Sequence, residues 1–131
     1  MEIPEDIRLG YSRVWTNPTA DAEYFYQRNS YKPGDTVSWD DFYINGKIPV
    51  RLNQSLSTSD EALVAHISHE LSELNRLRPI FEDMGGKMPI EKLRGLIGDT
   101  SRDGGGFSGN LHEQAWDDSD KIILQMRNGV Q

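Results

Sequence analysis

The 131-residue sequence contains no cysteine. That excludes a disulfide framework, thiol catalysis and every cysteine-ligated zinc or iron–sulfur site. Long apolar runs are missing too, and none approaches the roughly 20 residues that cross a bilayer as a helix. The first residues, Met1-Glu2-Ile3-Pro4-Glu5-Asp6, are acidic and have no apolar segment, so they do not read as a signal peptide. Basic excess is absent as well: 14 Lys and Arg stand against 21 Asp and Glu, a net charge of −7. Non-specific nucleic-acid binding runs on phosphate neutralisation, so this balance argues against a generic DNA or RNA binder. An acidic surface suits a basic protein partner.

What remains is ordinary for one globular domain over residues 1–131, with 36% apolar and 27% charged residues. Between Arg76 and Arg102 the balance reverses, with six bases and four acids, so a phosphate-bearing substrate can be met there. The alternative is a solvated mixed surface.

Local signals divide the chain into a β-containing first half and a helical second half, an α+β class with three C-terminal helices. Asn17-Pro18 reads as a helix start, with a helix over 19–28. Asn45-Gly46 between apolar residues is a hairpin signal, while Ser38 with Asp41 three residues on can instead cap one helical turn ending at Gly46. Ile48, Val50 and Leu52 alternate as a strand, and Pro49 predicts that this strand lies at an edge. Thr58 and Glu61 form a capping-box pattern for a long helix from about Ser59 to Leu77, stopped by Pro79. Gly85-Gly86 breaks the chain. A short helix then follows from Pro89, carrying Ile90, Leu93, Leu96 and Ile97 and ended by Gly98. Asn110 with Glu113 opens a last helix to about Arg127.

All three histidines fall on the two longer helices. His66, His69, Glu70 and Glu73 are spaced i, i+3, i+4, i+7 and share one face. At about 100° per residue that face adjoins the apolar arc of Leu63, Val64, Ile67, Leu71, Leu74 and Leu77, with Glu70 at its edge. A carboxyl half-buried there has its charge disfavoured unless a cation or metal compensates. On the last helix His112 lies within the arc of Leu111, Ala115, Trp116, Ile122, Ile123 and Met126, so it faces the body of the protein. Its place in the first turn, at the positive end of the helix dipole, favours the neutral imidazole needed in a base or ligand. A purely structural ion-pair network is the competing reading of the same residues.

Two chemistries fit the cluster. His69-Glu70-x-x-Glu73 is close to the HExxH of zinc hydrolases, with Glu73 in place of the second histidine and His66 or His112 completing a three-ligand set for a divalent metal such as zinc. Without metal, His69 and His112 can act as base and acid around a phosphodiester, Glu70 orienting one ring and Arg76, Arg78 or Lys92 holding the phosphate. The stretch 98–109 reads as a flexible loop, and its part 103–110 leads into a helix N-terminus beside His112, a geometry that can bind an anion. That part reads either as a flexible connector or as a lid, and it lacks the Gly-Lys-Ser/Thr ending of a nucleotide-binding P-loop. Trp15, Trp39 and Trp116 read as packing residues.

The segments 64–78 (VAHISHELSELNRLR) and 109–117 (GNLHEQAWD) are similar to C-terminal effector domains of bacterial polymorphic toxins of the Rhs, contact-dependent inhibition and phage-head-fused types. The resemblance covers about the C-terminal half. It implies a toxin module released from a larger secreted protein, acting in the cytoplasm of a target cell and paired with a cognate immunity protein. Such modules are mostly nucleases or other hydrolases, and the positions carried over are His69, Glu70, Glu73 and His112. The missing cysteines and the acidic balance depart from the zinc deaminases and the strongly basic nucleases of that class. The expectation is therefore a hydrolytic, nuclease-like effector, and the alternative is a non-catalytic acidic domain that binds a basic partner.

Overall fold

The computed structural model describes residues 3–11, 22–23, 31–52, 59–98 and 106–129. In chain order these form β1 (Ile7–Tyr11), β2 (Ala22–Glu23), β3 (Thr36–Ser38), a 3-10 turn (Trp39–Phe42), β4 (Ile48–Leu52), α1 (Asp60–Asp83), β5 (Lys87–Pro89), α2 (Ile90–Ile97) and α3 (Leu111–Arg127). The class is α+β, with the C-terminal half mainly helical.

β4 sits between β1, which it pairs in parallel, and β2, which it pairs antiparallel. Ile48, Val50 and Leu52 are all buried, as their alternation requires. The expected edge position is corrected, since β4 is the middle strand. Among the described residues β2 reaches only Arg51 and Leu52, so none of them asks a ladder bond of Pro49 on that side. Ala22 and Glu23 are strand, not helix, because they hydrogen-bond to β4. The remainder of the expected 19–28 helix, and Trp15, lie outside the described residues.

Both signals in the next segment are used in succession. Ser38 and Asp41 form a reciprocal capping box on the 3-10 turn, which ends at Phe42 and not at Gly46. Asn45 and Gly46, at φ 53° and 83°, then make a two-residue turn closed by the Ile44–Lys47 bridge. A second ribbon, unforeseen in the sequence, pairs β3 with β5 and buries Val37 against Met88.

α1 runs 24 residues. Ser59 caps it by accepting from the Ala62 amide at 3.2 Å. Thr58, the expected cap, lies outside the described residues. Pro79 does not end the helix. Asn75 and Pro79 are both exposed, so the carbonyl that Pro79 cannot serve meets water. The following turn is held by Phe81, fully buried against Phe42 and Trp39 at centroid distances of 5.7 and 5.3 Å. The helix stops at Gly85 and Gly86, at φ 77° and 87°. The Gly86 amide returns to the Phe81 carbonyl and that of Gly85 to Glu82, a Schellman closure that needs glycine's left-handed freedom.

The core joins β1, β4, β3 and β5 to the buried face of α1 (Ile67, Leu71, Leu74, Leu77, Phe81) and to α2 (Ile90, Leu93, Ile97). No helix among the described residues is long and apolar enough to cross a membrane.

Candidate active site

α3 lies antiparallel to α1. Arg127 pairs with Glu61 at one end of the seam, Ser119 Oγ donates to the Ala65 carbonyl at 2.7 Å, and at the other end Arg76 reaches Gln114 and Asp118. Ala115 and Ser119 are completely buried, and their small side chains let the helix backbones approach closely.

The start of α3 is pinned by Asn110. Its side-chain oxygen accepts from the Glu113 amide at 3.1 Å, and its Nδ2 donates to the carbonyls of Gly95 and Gly98, both at 2.9 Å. Thus one fully buried side chain caps α3 and ties it to the end of α2. Glu113 returns to the Gly109 amide at 2.7 Å, one residue before the expected partner of a capping box. Gly106 packs so closely here that an added Cβ would stand 2.0 Å from the Gly98 carbonyl oxygen. Residues 103–105 of the expected lid lie outside the described residues.

This junction delivers His112 to α1. Glu73 Oε2 stands 3.2 Å from His69 Nε2 and 3.3 Å from His112 Nδ1, so one carboxylate oxygen serves two imidazoles from different helices. The two rings meet edge to face with centroids 4.9 Å apart. One ligand atom from each of His69, Glu73 and His112 lies within 4.8 Å of the others. His69 and Glu73 are each 4% exposed, whereas the His112 side chain is 28% exposed and is the member of the trio that reaches solvent. Glu70 is more deeply placed than the rim expected from the sequence, at 6% exposure; at about 100° per residue it shares the arc of Leu74 and Leu77 rather than that of His69 and Arg76, which meet α3.

Trp116 completes the arrangement. Its indole stacks on His69 with centroids 4.0 Å apart and 25° between planes, and His66 stands edge-on to it at 5.3 Å. His66, weighed as a ligand on sequence grounds, is therefore in an outer layer and does not join the trio. The sequence reading treated Trp116 as packing alone. The signal that could have placed it was its i+4 spacing from His112, which puts both on one face of α3. His69 Nδ1 is buried and has no hydrogen-bond partner among the described residues.

The three basic residues expected to hold phosphate lie apart. Arg76 donates to both Asp118 oxygens, at 2.9 and 3.1 Å, and to Gln114 at 2.7 Å. On α3, Gln114 and Asp118 lie about 120–160° around the helix from His112 and Trp116, so Arg76 is drawn to the other flank of the seam. A bond from Ser72 and the Arg76 guanidinium, against a smaller effect of burial, hold the Asp118 carboxyl below the ordinary carboxylate range. That flank holds a groove of about 430 Å³ lined by Ser68, Ser72, Arg76, Asp118 and Ile122 among others. Arg78 pairs with Asp6 at 2.6 Å and lies over the Trp39 ring at 5.3 Å. Burial pushes the Asp6 carboxyl up, but bonds from Tyr43 and Arg78 together bring it below its usual value. Lys92 is exposed on α2.

Chemically, a carboxylate between two imidazoles can set their tautomers, pass a proton or hold a cation. Comparison with known protein families, curated proteins and solved structures finds no match for this chain.

Proposed function

We propose that the protein is a hydrolytic effector whose reaction centre is the His69–Glu73–His112 trio, with a phosphodiester of a nucleic acid or nucleotide as its substrate. The observation that carries this reading is the single Glu73 oxygen shared at 3.2 and 3.3 Å between imidazoles of two helices, one buried and one solvent-reaching. Structural histidines rarely converge this way. Here all three histidines of the chain lie within one patch around Trp116 and Glu73.

The chemistry follows from the geometry. Without a metal, Glu73 facing His112 Nδ1 favours the tautomer with its proton there and the lone pair on Nε2, as an orienting carboxylate does in a catalytic triad. His112 Nε2 then takes a proton from a water as the water's oxygen bonds to phosphorus, and returns it to the leaving oxygen as the phosphodiester bond breaks. Glu70, expected to orient one ring, is buried one residue from His69, about 100° around the helix from it, and the carboxylate that meets both rings is that of Glu73. The resemblance to toxin effectors supports a site of action in a target cell's cytoplasm and a cognate immunity protein as partner. With Arg76 and Arg78 each tied to a carboxylate, phosphate recognition at the trio falls to other donors unless those pairs open.

The test is turnover of RNA, single- and double-stranded DNA and nucleotides by wild type, His112→Ala and His69→Ala, together with growth arrest on expression. Loss in both variants with an unchanged thermal melt supports the reading. Unaltered activity rejects the site. A wild type that hydrolyses none of these substrates, yet binds a basic partner through its acidic surface, returns the protein to the non-catalytic alternative.

A further inference from the structure

We infer that His69 Nε2, Glu73 Oε2 and His112 Nδ1 form a binding site for one divalent transition-metal ion of the zinc class. This rests on the proposal that the trio is the reaction centre, and it names the cofactor of that centre. Three observations converge on it.

The first is the donor set. Two imidazoles and one carboxylate suit zinc better than the hard ions magnesium and calcium, which take oxygen ligands almost exclusively.

The second is the spacing. Ligands about 2.05 Å from a tetrahedral ion are about 3.3 Å from one another. Two of the three donor separations are 3.2 and 3.3 Å, and the third is no more than 4.8 Å. A side-chain rotation of about 1.5 Å closes the set around an ion. The ligands at 69 and 73 sit one turn apart on a continuous helix, so their separation is set by α1 and does not depend on a loop.

The third is the setting of His69. Its Nδ1 is buried with no hydrogen-bond partner among the described residues, and Nε2, 3.2 Å from Glu73 Oε2, is the ring atom placed for a ligand. Trp116, flat against His69, fixes the ring's plane where a second hydrogen bond would otherwise do so. When bound, such an ion supplies a water acidic enough to ionise near neutral pH.

The experiment is zinc titration of full-length protein purified without affinity-tag nickel and stripped with chelator, read by calorimetry and by competition with a chromophoric chelator. One equivalent should bind. Glu73→Gln and His112→Ala should each weaken binding by about a hundredfold or more, while Asp117→Asn, an exposed change on α3, should leave it intact. Because a variant can misfold, cobalt substitution of the wild type gives an independent reading. An intense visible band typical of four-coordinate nitrogen and oxygen ligation supports the site, and a weak octahedral spectrum overturns it. Absence of stoichiometric zinc, or an affinity indifferent to both trio variants, also overturns it. If stripped protein in EDTA still hydrolyses its substrate, the metal inference falls and the hydrolytic centre stands. If zinc binds at one equivalent but no substrate is turned over, the site stands and the hydrolytic reading falls.

Discussion

The indole of Trp116 lies flat on the imidazole of His69, 4.0 Å between ring centroids, and so joins the packing of α3 on α1 to the placement of a chemical group. Trp116→Ala removes that face. The expected cost is about 2 kcal/mol, less than for a fully buried tryptophan because Trp116 is half-buried. Turnover should fall along with it, since His69 loses the surface that holds its plane. Trp116→Phe keeps a stacking face and should recover most of both. Urea unfolding beside turnover checks the pair. If alanine lowers stability and leaves activity alone, the stack is packing only.

Glu73→Gln preserves shape and removes a buried charge. At neutral pH the melt should change little, because glutamine keeps the shape and an oxygen that can accept from a neutral imidazole, while turnover should fall by about a hundredfold or more. This difference in size separates a reaction centre from a structural ion pair, whose loss would destabilise strongly. If the melt collapses along with activity, Glu73 holds the helices together rather than serving chemistry.

Asn110 is expected to be the most sensitive polar position at the α2–α3 junction. Asn110→Ala loses the cap of α3 and leaves the Gly95 and Gly98 carbonyls unmet in a buried setting, for about 2–3 kcal/mol in total. Asn110→Asp keeps the cap but turns a carboxylate onto two carbonyls, and should be worse than alanine. Gly106→Ala should also destabilise, because its Cβ cannot be placed without moving backbone. Chemical denaturation of the three variants checks the order. A neutral Asn110→Asp would contradict the bonding described.

Acid should loosen the α1–α3 seam through Asp118. Its carboxyl is held below the usual value in the folded protein, chiefly by Ser72 and Arg76, so the folded state keeps it ionised where the unfolded chain has begun to take up a proton. The contribution is therefore complete above the ordinary aspartate value of about 4, and it is lost as pH falls through that value towards the lower folded one. In Asp118→Asn the stability difference between pH 6 and pH 3 should shrink relative to wild type. Equal pH slopes for the two proteins would show that this group carries none of the acid sensitivity.

The helical half was legible because its signals are local. The Asn110 cap, the Gly98 stop and the 3.6-residue periodicity of Leu71, Leu74 and Leu77 act within a few residues of the elements they define. Pro79 misled because the rule for proline concerns intrinsic cost, and burial of Phe81 outweighs that cost when the freed carbonyl faces water. Pro49 misled for a related reason. A strand can be central overall and still, among the described residues, be paired on one side only at one position: Pro49 pairs with Arg8 of β1, while β2 meets only Arg51 and Leu52. The β3–β5 ribbon escaped notice because Lys87-Met88-Pro89 is three residues with a proline, and only pairing to Thr36-Val37-Ser38 makes it a strand.

For the site, the one-turn spacing of His69 and Glu73 and the inward face of His112 are properties of helical geometry, so the sequence alone determined them. That these two faces meet, that Glu73 rather than Glu70 bridges them, and that Trp116 displaces His66 from the centre were decided only by the tertiary structure. The physical reason is the depth and angle at which α3 settles on α1. Small residues at 115 and 119 and the buried bonds of Asn110 set that docking, across 39 residues between Glu73 and His112. Periodicity carries no information about such a distance.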